Sequence, residues 1–280
     1  MCWKLRSAEM KLNFKGSYSF ILFNTIGLLA FFWPFLLPNL HTKFLQQLFN
    51  STDSKWWTLI ILPIALWFFL IDSEKSIANQ QVNSSSSKTV ALMGVLIALA
   101  CVMRFLGAGA VGIEPIWFLL IIVSFTFGSK FGFLYGNLSL LVSGLFLGGF
   151  GPWLPFQMIT AGWICAGAGL IGQITKLGNS YLKNNFAKYL LAIYSVVASF
   201  TFGLLMDLQL WPWLISSQSQ LAFSIDATSL DNFRNFIIFH FSTSLAWDIP
   251  RAVLTAALII VAGDILISAL QRTINRLQLT

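Results

Sequence analysis

Asp248 and Arg251 stand three residues apart in TSLAWDIPRAV (Thr243–Val253), inside the long apolar run near Phe236–Leu270. At that spacing a helix presents both side chains on one face. A lone arginine deep in hydrocarbon costs about 2.5–3.5 kcal/mol on insertion scales. Counting back from Arg272 by about 21 residues at about 1.5 Å each puts Arg251 near the outer boundary of the hydrocarbon core. Pairing with Asp248 lowers the cost, and a polar ligand lowers it further. Pro250 removes one helical hydrogen bond beside the pair and frees the carbonyl of Ala246. Two readings stand: an ion pair that locks the last helix to its bundle, or a contact for a polar ligand. His240, among Phe236, Phe239 and Phe241, reads as a lone interfacial side chain rather than a ligand.

The second stretch with chemical potential is GLFLGGFGPWLPFQMITAGWICAGAG (Gly144–Gly169). An apolar run enters it and another leaves it. Between them GGFGPWLP cannot be a regular helix, because Pro152 and Pro155 lack an N–H and disfavour α geometry at Gly151 and Leu154. Gly151 permits positive φ or a close approach. The segment is a tight turn at a membrane face that carries Trp153 and Gln157 on a stiff frame. A plain hairpin between two membrane helices fits the same residues.

Other chemistries find no residues here. There is no Gly-x-x-x-x-Gly-Lys-Ser/Thr loop for ATP, no His-Glu-x-x-His and no Gly-x-Ser-x-Gly. Cys2, Cys101 and Cys165 have no metal-ligand spacing, and no disulfide is expected. Asp207, Asp248 and Asp264 fall near helix ends rather than mid-span, which disfavours a proton relay. The sequence therefore predicts no enzyme, no cofactor and no metal site.

The elements that must position these residues are membrane helices. Hydrophobic residues make up 57% of the chain and charged residues 10%, with a mean hydropathy of +0.77; a soluble chain carries about a quarter charged residues. The net charge of +7 then belongs to cytoplasmic loops and not to a nucleic-acid surface. Eight apolar runs follow in order: Phe20–Leu37, Trp56–Ile71, Thr89–Leu106, Ile116–Phe127, Phe131–Leu147, Gln157–Ile174, Lys188–Met206 and the run near Phe236–Leu270. The first is longer than a signal-peptide core and lacks a small-x-small cleavage site, so it reads as an uncleaved helix. The fourth is short for a span and is tilted, broken or bounded by protein. Ser84–Ser87 reads as a flexible linker between residues 1–87, a two-helix hairpin, and residues 88–280, a six-helix core.

With the N-terminus inside, twelve of the seventeen Lys and Arg fall in cytoplasmic segments and four in outer ones. That bias predicts eight spans of an all-α polytopic protein of the cell membrane, with both termini cytoplasmic. It also places Gly107–Pro115, Gly148–Phe156 and Asp207–Asn235 outside. These loops bring Arg104, Glu114, Trp153, Gln157, Asp207, Trp211 and Trp213 toward one face, joined there by Trp247, Asp248 and Arg251.

At these residues the chain resembles a known family. Gly132–Met158, Ala161–Leu170, the Trp211-Pro212 loop and Thr243–Val253 make the region from about Lys88 to Leu270 similar to a substrate-binding S component of an energy-coupling factor (ECF) transporter. The likeness is to the actinobacterial-type vitamin carriers, some grouped with cobalamin carriers. It implies binding of a vitamin or related micronutrient from outside, and association with a coupling transmembrane subunit and two ATPases. The S component is then thought to topple in the bilayer to release its substrate inside. It also implies a small-xxx-small docking motif on the first core helix, matched here by Gly94 and Ala98. The N-terminal hairpin departs from the family pattern. The expected substrate-binding residues are Gly151, Pro152, Trp153, Gln157, Trp211, Trp247, Asp248 and Arg251. A stand-alone secondary transporter and a membrane scaffold protein are the alternatives.

Overall fold

The computed structural model describes residues 18–36, 64, 84–107, 110–147, 149, 151–177, 185–214, 219–224 and 226–277. Eight helices occupy these residues, and among them there is no strand: α1 (Tyr18–Leu36), α2 (Ser84–Leu106), α3 (Ile116–Phe127), α4 (Ser129–Phe146), α5 (Leu154–Leu177), α6 (Asn185–Leu214), α7 (Ser229–Thr243) and α8 (Leu245–Leu277). Four of them are long and apolar enough to cross a membrane, over Ser87–Leu106, Leu154–Thr175, Phe186–Pro212 and Leu245–Arg276. The chain is an all-α polytopic membrane protein.

The short fourth run is bounded by protein. All 12 residues of α3, IWFLLIIVSFTF, are buried, as expected for a helix that is apolar on every side. At about 1.5 Å per residue it spans only about 18 Å, well short of the roughly 30 Å hydrocarbon core. It sits instead among α2, α4, α5 and α8. Gly128, with φ of 94°, ends α3 and starts α4 in a single residue. α4 and α5 then pack most closely of all the helix pairs. A Cβ at Gly136 would stand 2.6 Å from the Ala161 carbonyl oxygen, and one at Gly132 2.7 Å from that of Cys165. Small residues let the two backbones approach, and dispersion then holds them.

Three expectations need revising. Ser84–Ser87 is not a linker but the first turn of α2. The described residues of Asp207–Asn235 are helical at both ends: α6 continues through Pro212 to Leu214, and α7 begins at Ser229 with the Thr228 hydroxyl accepting from the Asp231 N–H. The run near Phe236–Leu270 is two helices, because the chain breaks at Ser244. The Ser244 N–H closes α7 on the His240 carbonyl, while its own carbonyl accepts from Trp247 and Asp248 at the start of α8. Pro250, within the early turns of α8, cannot supply the N–H that a continuous helix requires there.

α1 packs on α5, α6 and α7. Its Phe23 and Phe31 are buried. Trp163 donates its indole N–H to Asn24 Oδ1 at 2.6 Å, and Ser229 donates to the Phe35 carbonyl at 3.0 Å. The second hairpin segment, Trp56–Ile71, lies outside the described residues apart from Ile64.

Candidate functional site

Arg251 is buried on the first turns of α8 and is held from three sides. Its Nη1 donates to Asp248 Oδ1 at 2.8 Å and to the Ser199 carbonyl at 3.3 Å. Its Nε donates to Glu114 Oε2 at 2.7 Å. Its guanidinium carbon lies 4.9 Å from the centroid of the Phe202 ring. The same Glu114 oxygen accepts the Trp117 indole N–H at 2.7 Å. Asp248, fully buried, also accepts the Ser244 hydroxyl. Gly203 of α6 makes room for it, since a Cβ there would stand 2.1 Å from Asp248 Oδ1. The predicted Asp248–Arg251 pair is therefore part of a carboxylate–guanidinium–carboxylate cluster that joins α8, α6 and the α2–α3 loop. Gly112, with φ of 66°, lies against the Trp247 carbonyl and Pro250 and lets that loop close over the start of α8.

A second polar group forms where α2 ends. Arg104 Nη1 donates to Ser143 Oγ at 2.8 Å and to the Leu140 carbonyl at 3.4 Å, and Nη2 donates to Gln157 Oε1 at 3.2 Å. Gln157 is thus tied to α2 and α4 beneath the turn that carries Trp153. Glu114 lies within electrostatic reach of Arg104. Its short contacts, though, go to Arg251 and Trp117.

The turn lies between α4 and α5 but ends sooner than expected: Leu154 and Pro155 already belong to α5, because the first turn of a helix tolerates a missing N–H. Gly151 serves there through close approach: a Cβ would lie 2.5 Å from the Trp153 ring. Pro152, Trp153 and Trp247 are exposed. Trp211 is not with them. It is fully buried among Phe35 of α1, Phe223 and Phe236, and its indole N–H donates to the Leu221 carbonyl at 2.8 Å. The structure so brings together Asp248 with Arg251, and Gln157 with the Trp153 turn, but places Trp211 in a separate aromatic cluster. His240 is not alone either: its Nδ1 lies 2.8 Å from Asp207 Oδ2, which also accepts from Thr243. A cavity of ≈ 230 Å³ lies between α5 and α6, lined by residues such as Thr160, Trp163, Tyr194 and Thr201, and by none of the predicted site residues.

The family model for the ECF transporter substrate-specific component matches residues 88–263. The chain belongs to this family of S components. No curated protein and no solved structure matches the chain significantly. As a family, S components are transporter subunits and not enzymes. The matched region of this S component runs from α2 well into α8 and contains both polar groups, whereas α1 lies outside it. Glu114, Trp117, Ser199, Phe202 and Arg104 complete the two groups. Arg104 and Glu114 stand out in the sequence as charges at the ends of apolar runs; the carbonyl of Ser199 has no sequence signal.

Gly94 and Ala98 are exposed on α2, and a Cβ at Gly94 would meet none of the described residues within 4 Å. Val95, Leu99 and Val102 share that outward surface.

Proposed function

We propose that this S component captures a vitamin-like micronutrient from the outer side and passes it inward with a coupling transmembrane subunit and two ATPases. The observation that carries this reading is the family match over residues 88–263. The absence of a nucleotide-binding loop from the sequence agrees with energy supplied by partners. The pocket is assigned to the outer turn Gly151-Pro152-Trp153 with Gln157, Trp247, Asp248 and Arg251, a set that combines exposed aromatic rings with buried charged groups, the mix that small-molecule sites use. Trp211 contributes through the aromatic cluster that fixes the α6–α7 connection. Gly94 and Ala98 form the contact with the coupling subunit, since small side chains let helix backbones approach. The protein lies in the cell membrane with both termini cytoplasmic, a topology supported by the Lys and Arg bias; a C-terminal reporter active only outside the cell would refute it.

The test is purification from the native membrane with mass spectrometry of whatever small molecule comes with the protein, alongside co-purification of partner subunits. A bound micronutrient together with an ATPase-containing complex is the expected result. A protein that carries no solute and captures no coupling subunit would point to a scaffold instead.

A further inference from the structure

Of the arginines on the proposed outer face, two, Arg104 and Arg251, are withdrawn from the surface, and they are neutralised unequally. Arg251 touches two carboxylates, Asp248 and Glu114. Among the described residues Arg104 touches none: its hydrogen bonds to them go to a hydroxyl, a peptide carbonyl and a side-chain amide oxygen. A guanidinium has five N–H donors, and the bonds to described residues leave Nε and one Nη2 hydrogen for other partners. It is half-buried at the outer end of a membrane span, where an unneutralised charge is costly. Glu114 acts on it only at longer range, its carboxylate being already engaged by Arg251 and Trp117. Gly149 of the turn packs beside it, since a Cβ there would lie 3.8 Å from Arg104 Nη2. Ser143 and Gln157 orient the guanidinium without cancelling its charge.

We propose that Arg104, oriented by Ser143 and Gln157, receives an anionic group of the solute, a carboxylate or phosphate, and that the transported molecule is therefore an anion. This rests on the reading of the protein as a solute-capturing S component. Arg104 supplies the charge-assisted hydrogen bonds, and Trp153 on the adjoining turn supplies apolar surface for the rest of the molecule. Arg251, already matched by two carboxylates, has the smaller need of a solute anion. An anionic lipid headgroup offers Arg104 the same chemistry, and the experiment must separate the two.

The experiment is equilibrium binding to the purified protein in nanodiscs of phosphatidylcholine alone, using matched acid and neutral probes. Nicotinate with nicotinamide, pantothenate with panthenol, and biotin with biotin amide serve, with pyridoxal phosphate against pyridoxal for the phosphate case. The expected result is that one acid or phosphate binds at least about tenfold more tightly than its neutral partner, the effect of one net charge-assisted hydrogen bond. Arg104→Gln should erase that discrimination, and Arg104→Lys should keep part of it. The melting temperature without ligand reports whether the variants fold. A purely structural Arg104 would alter stability without changing the preference for acid over neutral probe. Preference for a neutral probe that is also taken up with a coupling module would overturn the inference while leaving the S-component reading intact. Failure of every anionic probe to bind also counts against it. Stabilisation that depends on Arg104 only in phosphatidylglycerol nanodiscs, with no probe bound, would assign Arg104 to a lipid headgroup and overturn it as well. Absence of both binding and module-dependent uptake for all probes would bring down the two readings together.

Discussion

Arg251 Nε donates to Glu114 Oε2 across 2.7 Å, and that bond ties the start of α8 to the loop between α2 and α3. Because Nη1 of the same guanidinium holds Asp248 at 2.8 Å, one cation bridges two acids. The cluster is buried on the α8 side and opens toward Glu114, which is partly exposed.

Arg251→Met should destabilise the protein more than Asp248→Asn. The first strands two carboxylates, one of them fully buried; the second leaves Glu114 on the guanidinium. Removing one partner of a buried pair costs about 3–5 kcal/mol. The double change Asp248→Asn with Arg251→Met should recover part of that loss. Thermal unfolding in detergent gives the order. If the double variant also keeps its solute affinity, the cluster is structural and the site contracts to the turn and Arg104.

Gly203→Ala should lower stability although it adds one methyl group. Its Cβ would stand 2.1 Å from Asp248 Oδ1 and 2.2 Å from Oδ2, so α6 and α8 must separate or the carboxylate must move. Overpacking of this kind costs about 1–3 kcal/mol. An unchanged melting temperature would show that α6 and α8 are packed less tightly than the structure has them.

Ala98→Trp should abolish uptake while leaving solute binding intact, because Ala98 and Gly94 are exposed and a Cβ at Gly94 would meet no described residue within 4 Å. Uptake by whole cells and binding by purified protein separate the outcomes. Loss of both would assign α2 a role in the fold rather than in docking.

Trp153→Ala should weaken solute binding by about 1–3 kcal/mol if the ring is a stacking anchor. Trp211→Ala should act through stability, since that ring fills a closed aromatic cluster. Melting temperatures with and without solute discriminate the two effects.

The membrane helices were legible because apolar runs report burial from water, in lipid or in protein, and nothing in their pattern needs the partner helix. Ile116–Phe127 came out with the same bounds from sequence and structure. The break at Ser244 was not legible: the run on both sides is apolar, and the hydroxyl that meets Asp248 acts only once the helix has ended. Asp248 and Arg251 share a face by local spacing, so sequence alone pairs them. Glu114 reaches the same guanidinium from 137 residues away, and no local rule joins positions so distant. Trp211 shows the opposite error. A tryptophan beside a proline in an outer segment reads as an exposed aromatic, but α1, which lies outside the family match, brings Phe35 against it.

Uptake into proteoliposomes tests the central claim most directly. Vesicles carrying this S component alone should bind solute without accumulating it. Vesicles that also carry a coupling subunit and ATPases should accumulate it only when ATP is supplied to the cytoplasmic side. Accumulation by the S component alone, driven by an ion gradient and indifferent to ATP, would contradict the account and make the chain a secondary transporter.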